Sequence, residues 1–219
     1  MIAKGYPVQM EVDGKRAMWE RPDTGDTPIS YIAPPMSSAK GLFDSISFLS
    51  RKEAVLWPYK VEVCSPIVFD NYNFNCTGVG RKTDKNVHNT QTFSQVLSNV
   101  CYRIYGISFS FNDDMGKAHF LQDLFLRRLK KGQSFTLPFL GQRHLGVDYY
   151  GPFRETTQVV KIKADLGPMP LMIFKNGKAN PVFCSRAILK DGVLEYGQCL
   201  KNTGKNITIP WDKIGREQC

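Results

Sequence analysis

Hydrophobic periods in the order strand, helix, strand, strand, helix, strand up to Leu140, a long polar insertion in their middle, and only β signals after Thr156 predict an α+β protein. The first part reads as a ferredoxin-like sandwich, the layout shared by RNA-recognition folds, over residues 1–146, with an insertion at about 71–99. The second reads as a small antiparallel β domain with a tail, residues 147–219.

Each element has a local reason. Residues 6–12 alternate and meet Asp13-Gly14, which predicts a strand closed by a turn. Residues 21–26 read as loop, and Pro34-Pro35 delays a helix until Ser37 or Ser38 can cap it. Over residues 39–49, Leu42, Phe43, Ile46 and Leu49 fall on one helical face. Residues 59–70 predict a second strand whose Pro66 marks an edge or a bulge. From Asn71 to Asn99 the pattern gives way to glycine, asparagine, threonine and charge, which predicts a long loop or an extended hairpin. Strong β-formers return over residues 100–111. Asp113 or Asp114 caps a second helix that carries Leu121, Leu124, Phe125 and Leu129 on one face and ends at Gly132. A glycine-punctuated stretch, residues 132–146, closes the first domain. Beyond it, residues 159–162, 171–174, 182–189 and 193–196 read as short strands, with turns at Asn176-Gly177 and Asp191-Gly192.

Composition narrows the function. With 29 basic and 20 acidic residues the 219-residue chain carries a formal charge of +9, a field that attracts a polyanion; solubility alone is the bland alternative. No apolar run is long enough for a membrane span, and residues 1–10 lack the features of a secretory signal, so a cytoplasmic protein is expected. The six cysteines are scattered and read as small apolar residues or surface thiols, without metal or disulfide spacing. Gly78-Val79-Gly80 lacks a dinucleotide fingerprint and residues 132–146 lack a P-loop, which argues against nucleotide hydrolysis. No cofactor and no metal site is expected from His88, His119 and His144, which are isolated in sequence.

Two groups of residues could act on RNA. Lys117 and His119 open the second helix and could supply a cation and an acid-base group for metal-free cleavage, although residues two apart on a helix point in different directions. Arg81, Lys82, Lys85 and His88 lie in the insertion near Tyr72 and Phe74, and cations interleaved with rings suit a single strand. Arg127, Arg128, Lys130 and Lys131 end the second helix, where they also complement its dipole.

Several strings carry a resemblance: Ala17-Met18-Trp19 with Arg21-Pro22; Ser30-Tyr31 leading to PPMSSAKG at 34–41; SPIVFDN at 65–71; FLRRLKKGQSFTLPFLGQR at 125–143; Asp165-Leu166-Gly167 running to Phe174; and Asp191-Gly192-Val193. On these, the chain resembles the fifth CRISPR-associated (Cas) protein family in its subtype I-C, or Dvulg, form. The resemblance spans most of the chain and is poor in the middle insertion. It implies a RAMP-type ferredoxin fold with an inserted thumb hairpin and a C-terminal β domain. It also implies a subunit of the Cascade complex of antiviral defence that holds the 5′ handle of the CRISPR RNA. The implied partners are that RNA, the large subunit and the adjacent backbone subunit. Members of this subtype also cut precursor RNA with a tyrosine after the first helix and a Lys-His pair at the start of the second. Here the tyrosine position falls on Ser47 and the pair on Phe120 and Leu121, with Lys117 and His119 slightly earlier.

Three readings follow. In the leading one the handle lies across the first-domain sheet and the glycine-rich loop, clamped by the thumb, with Lys40, Arg81, Lys82, Lys85, His88, Arg127, Arg128, Lys130, Lys131, Gln133 and Arg143 touching RNA. The second adds metal-independent cleavage to a 2′,3′-cyclic phosphate through Lys117, His119 or Tyr31. The third is a structural subunit that meets only protein, or target DNA near the protospacer-adjacent motif.

Overall fold

Apolar residues two apart near both ends of the first 110 residues need a common cover, and they find it beneath two helices. The computed structural model describes residues 5–25, 27–49, 53–77, 89–110, 114–175 and 178–201. Its elements are β1 (Tyr6–Ala17), α1 (Met36–Ile46), β2 (Val55–Val63), β3 (Phe69–Thr77), β4 (Asn89–Phe109), α2 (Met115–Lys131), β5 (Tyr149–Gly151), β6 (Ala164–Lys175), β7 (Lys178–Leu189), β8 (Val193–Glu195) and α3 (Tyr196–Lys201). The main sheet is antiparallel in the order β5-β1-β4-β2-β8, with β3 paired to the first half of β4.

The register explains the core. Val8, Met10 and Val12 stand opposite Gly106, Ile104 and Tyr102 of β4, and Val61 and Val63 of β2 continue the same face. Onto it α1 lays Leu42, Phe43 and Ile46 and α2 lays Leu121, Phe125 and Leu129; Phe43 and Phe125 meet edge to face at 5.4 Å. Gly106 allows the close approach of α1, since a Cβ there would lie 2.4 Å from the Phe43 ring.

Several sequence expectations hold and others change. Asp114 caps α2 by accepting from the Lys117 amide, and Gly132, at φ 65°, ends it by donating to the Arg128 and Leu129 carbonyls. The insertion is an extended hairpin, paired from Phe69↔Leu97 out to Thr77↔Asn89. β4 therefore serves three partners, β1 along one edge and β3 then β2 along the other, and Asn99, at φ 51°, sits where it passes from β3 to β2. The turn expected at Asp13-Gly14 is absent: β1 runs through it, because both residues pair with β4 and a Cβ on Gly14 would press on Leu140 at 2.6 Å. α1 begins at Met36 after Pro35, without a Ser37 or Ser38 side-chain cap, and stops at Ser47, whose backbone is extended. The expected strand at 59–70 is two elements, β2 and β3, separated around Ser65-Pro66. Residues 159–162 form no strand, and Tyr196 opens α3 instead of ending a strand. Asp191-Gly192 turns as expected, with both φ positive at 49° and 78°.

Elements on both sides of residue 146 share one sheet and one core. β5 and β8, expected in a separate β domain, are the two edge strands of the main sheet, and Leu166, Met169, Leu171, Cys184 and Leu189 belong to the same core as β1 and α1. Among the described residues, β6 and β7 form a second, two-stranded sheet. Asn176-Gly177 and the tail beyond Lys201 lie outside the described residues. Among the described residues no helix is long and apolar enough to cross a membrane, and Cys64, Cys101, Cys184 and Cys199 are free thiols.

Candidate nucleic-acid interface

A sheet covered by helices on one face has its other face left for ligands, and here the part of that face around Glu11 is covered by the protein itself, while Pro7 and Gln9 toward its other end are exposed. Residues 152–163 cross it, and the contact is ionic. Glu11, fully buried, accepts from Arg103 Nε (3.1 Å), Arg154 Nε (2.5 Å), the Arg154 amide (3.2 Å) and Thr157 Oγ1 (2.7 Å). Arg154 also bonds Asp13 at 2.5 Å. Burial pushes the Glu11 carboxyl upward, but the bonds from Thr157, Arg154 and Arg103 outweigh it and hold the group below its ordinary 4.5. Beside this centre, Lys60 Nζ lies 3.8 Å from the Tyr105 ring centroid and pairs with Glu62, while Phe153 packs on Tyr105 at 5.1 Å. A strand of RNA laid over the Glu11 end of this face would have to displace that cover.

Open cations and rings lie instead along a strip from the C-terminus of α2, through residues 132–146, to the base of the β3–β4 hairpin. Arg127, Lys130, Lys131 and Gln133 are exposed there. Arg128 is half-buried and donates to the Ile46 carbonyl at 2.9 Å, so it ties α2 to the end of α1. The following loop is held in place: the Phe135 and Thr136 amides bond to the Ser45 carbonyl, and Tyr150 Oη bonds to the Gly132 carbonyl. This leaves Phe135, Leu137 and Phe139 exposed, with Phe48 stacked on Phe135 at 6.3 Å. The loop's far end is pinned by Met18 N to Leu140 O at 2.9 Å and by Gly141, at φ 94°, where a Cβ would collide with the Met18 carbonyl oxygen. Next to it Arg143 and His144 are exposed, and His144 stacks on Tyr72 of β3 at 5.9 Å and 19°. Arg16 lies over the same tyrosine ring at 5.3 Å.

Other sequence candidates are placed differently. Lys40 is engaged by Asp44 four residues later at 2.6 Å, a pairing its spacing could have revealed. Lys117 faces Glu53 at 3.4 Å, whereas His119 packs on Tyr6 and lies 3.5 Å from Asp123. Tyr31 is buried, with its hydroxyl on the Pro168 carbonyl; burial pushes the phenol up to about 12, only partly opposed by Arg21. Ser47 is also buried, and among the described residues its hydroxyl has no partner. The three candidate catalytic residues thus have separate neighbours. Arg81, Lys82, Lys85 and His88 lie outside the described residues. A cavity of about 410 Å³ beneath the hairpin is lined mostly by apolar groups, including Ile29, Ile32, Phe69 and Leu166, with Arg21 and Asp165 at its edge. No group of three or more His, Cys, Asp or Glu that could hold a metal occurs among the described residues.

The fold is shared with known structures. A solved structure described as a CRISPR-associated protein matches with a TM-score of 0.66 and 18% identity, over 88% of this chain and 93% of that one. A functionally uncharacterized protein from Streptococcus mutans, SMU1763c, matches with a TM-score of 0.60 and 17% identity, over 87% and 91%. A chain of a CRISPR RNA-guided surveillance complex matches with a TM-score of 0.48 and 12% identity. No family model matches the sequence, and no curated protein does. At the identities of the first two, the likeness is one of fold.

Proposed function

We propose that the chain is an RNA-binding subunit of a CRISPR interference complex, holding the 5′ handle of the guide RNA along the strip that runs from α2 to the base of the β3–β4 hairpin. The observation that carries this reading is the contrast in cation use. Arg103 and Arg154 are consumed by the buried carboxylate of Glu11, while Arg127, Lys130, Lys131 and Arg143 stand exposed, as do Phe135, Phe139 and His144. Cations for phosphates and flat rings for bases are the two requirements of a single strand. The strand order β5-β1-β4-β2, with both helices on one face, supports the ferredoxin-like, RAMP-type reading, in which the β3–β4 hairpin would be the thumb. The fold shared with a CRISPR-associated protein supports the same assignment. In this reading the large subunit and the adjacent backbone subunit are the protein partners, and the site of action is the cytoplasm.

Binding of repeat-derived RNA, measured against salt, tests the proposal. Replacing Lys130, Lys131 and Arg143 with alanine lowers affinity and reduces the salt slope by about 0.7 for each phosphate that is no longer neutralised. Unchanged affinity and slope would refute the assignment. Cleavage is left out of the proposal, because Tyr31 and Ser47 are buried and Lys117 is engaged by Glu53. Repeat RNA incubated with the purified protein in EDTA is expected to remain intact; a cyclic phosphate end would restore the nuclease reading.

A further inference from the structure

At the base of the hairpin, side chains from three segments form a stack that the core does not need. Tyr72 is half-buried and fixed: it packs on the small cluster of Met18, Val96 and Leu145, and Ser94 Oγ donates to its carbonyl at 2.7 Å. Arg16, held by Asp70 at 3.3 Å, lies over its ring. His144 lies nearly parallel to that ring and is exposed. Its loop is rigidly held, because Leu145 is buried, the Leu145 amide bonds to the Gln142 carbonyl at 2.9 Å, and the Leu140 amide bonds back to the Leu145 carbonyl at 2.7 Å. An imidazole displayed to solvent on a fixed tyrosine, with exposed Arg143 beside it, has given up its conformational freedom before any ligand arrives.

We infer that His144 is a stacking platform for one unpaired nucleobase, which extends the Tyr72–His144 stack while Arg143 meets the adjoining phosphate. The ligand class is a single-stranded ribonucleotide segment with a splayed base; a paired helix keeps its bases stacked on each other and offers none. The stack also joins the hairpin to the 141–146 loop, so a base seated there bridges the two segments. This inference rests on the RNA-binding reading and adds to it a specific contact.

The test titrates a short unstructured RNA, carrying a fluorescent purine analogue, into the full chain and its variants. Loss of one base-stacking ring costs about tenfold in affinity, so His144→Ala weakens binding by about that factor and removes the quenching of the analogue. His144→Phe restores both, because a ring without charge or hydrogen bonds still stacks. Circular dichroism of the exposed-loop variants checks that the fold is retained. If the natural chain binds no RNA, the platform and the RNA-binding reading fail together. If it binds RNA and His144→Ala binds equally well, the platform alone is overturned. If His144→Phe is as weak as His144→Ala, the histidine acts through its nitrogens and stacking is overturned.

Discussion

The outer face of the main sheet and the strip along residues 132–146 use the same residue types to opposite ends. On the outer face, Arg103 and Arg154 close on buried Glu11, and Phe153 and Tyr105 pack on one another. Along the strip, Lys130, Lys131 and Arg143 are exposed, as are Phe135 and Phe139. The difference lies in the carboxylates. A buried acid such as Glu11 needs donors and converts neighbouring arginines into structure, while a cation without such a partner keeps its charge for a polyanion. A basic count in a sequence therefore overstates the binding surface by every arginine that a buried acid claims.

The sharpest way to break this contrast is to remove the acid. Glu11→Ala leaves Arg103 and Arg154 without their shared partner beneath residues 152–163, and is expected to cost about 3–5 kcal/mol of stability, read from the urea midpoint. RNA affinity of the folded fraction is expected to be unchanged. The same residue sets a pH dependence. Its folded pKa lies below its ordinary 4.5, so its contribution is present above that value and is lost as pH falls through the folded pKa. Glu11→Gln should flatten the acid limb of the stability curve, measured by denaturant titration across pH. A steep limb in that variant would place the acid sensitivity elsewhere.

The strip can be disturbed through its backbone. Gly141 sits at φ 94° against the Met18 carbonyl, so Gly141→Ala strains the loop by about 1–3 kcal/mol and displaces Arg143 and His144. Both thermal stability and RNA affinity should fall. The smallest effect is expected at Lys40, whose ammonium is paired with Asp44. Lys40→Ala should change stability by less than about 1 kcal/mol and leave RNA affinity within error. A large drop in affinity would mean that the ion pair opens for RNA.

What the sequence disclosed followed the range of the forces involved. The Asp114 cap, the Gly132 stop and the apolar face of α2 were legible because each is decided within a turn or two of helix. The extended hairpin was legible only as one of two options, because its polar residues pair with each other instead of facing a core. Asp13-Gly14 misled because a turn dipeptide was overridden by long pairing with β4 and by the approach of Leu140. Residues 159–162 have β-forming side chains, yet they follow Arg154 and Thr157 across the sheet, where Glu11 draws the chain down. At the site, the cations of α2 were visible as a cluster. The Arg16–Tyr72–His144 stack was not, because it is assembled from three distant segments; an exposed histidine beside Arg143, at the end of the 125–143 string, was its only local sign.

Photo-crosslinking of thiouridine-substituted repeat RNA to the full chain, with adducts located by mass spectrometry, tests the central claim most directly. Adducts are expected within residues 130–144 and on Tyr72, with Tyr105 and Phe153 of the outer face unlabelled. Labelling of those two, with the strip bare, would contradict the account.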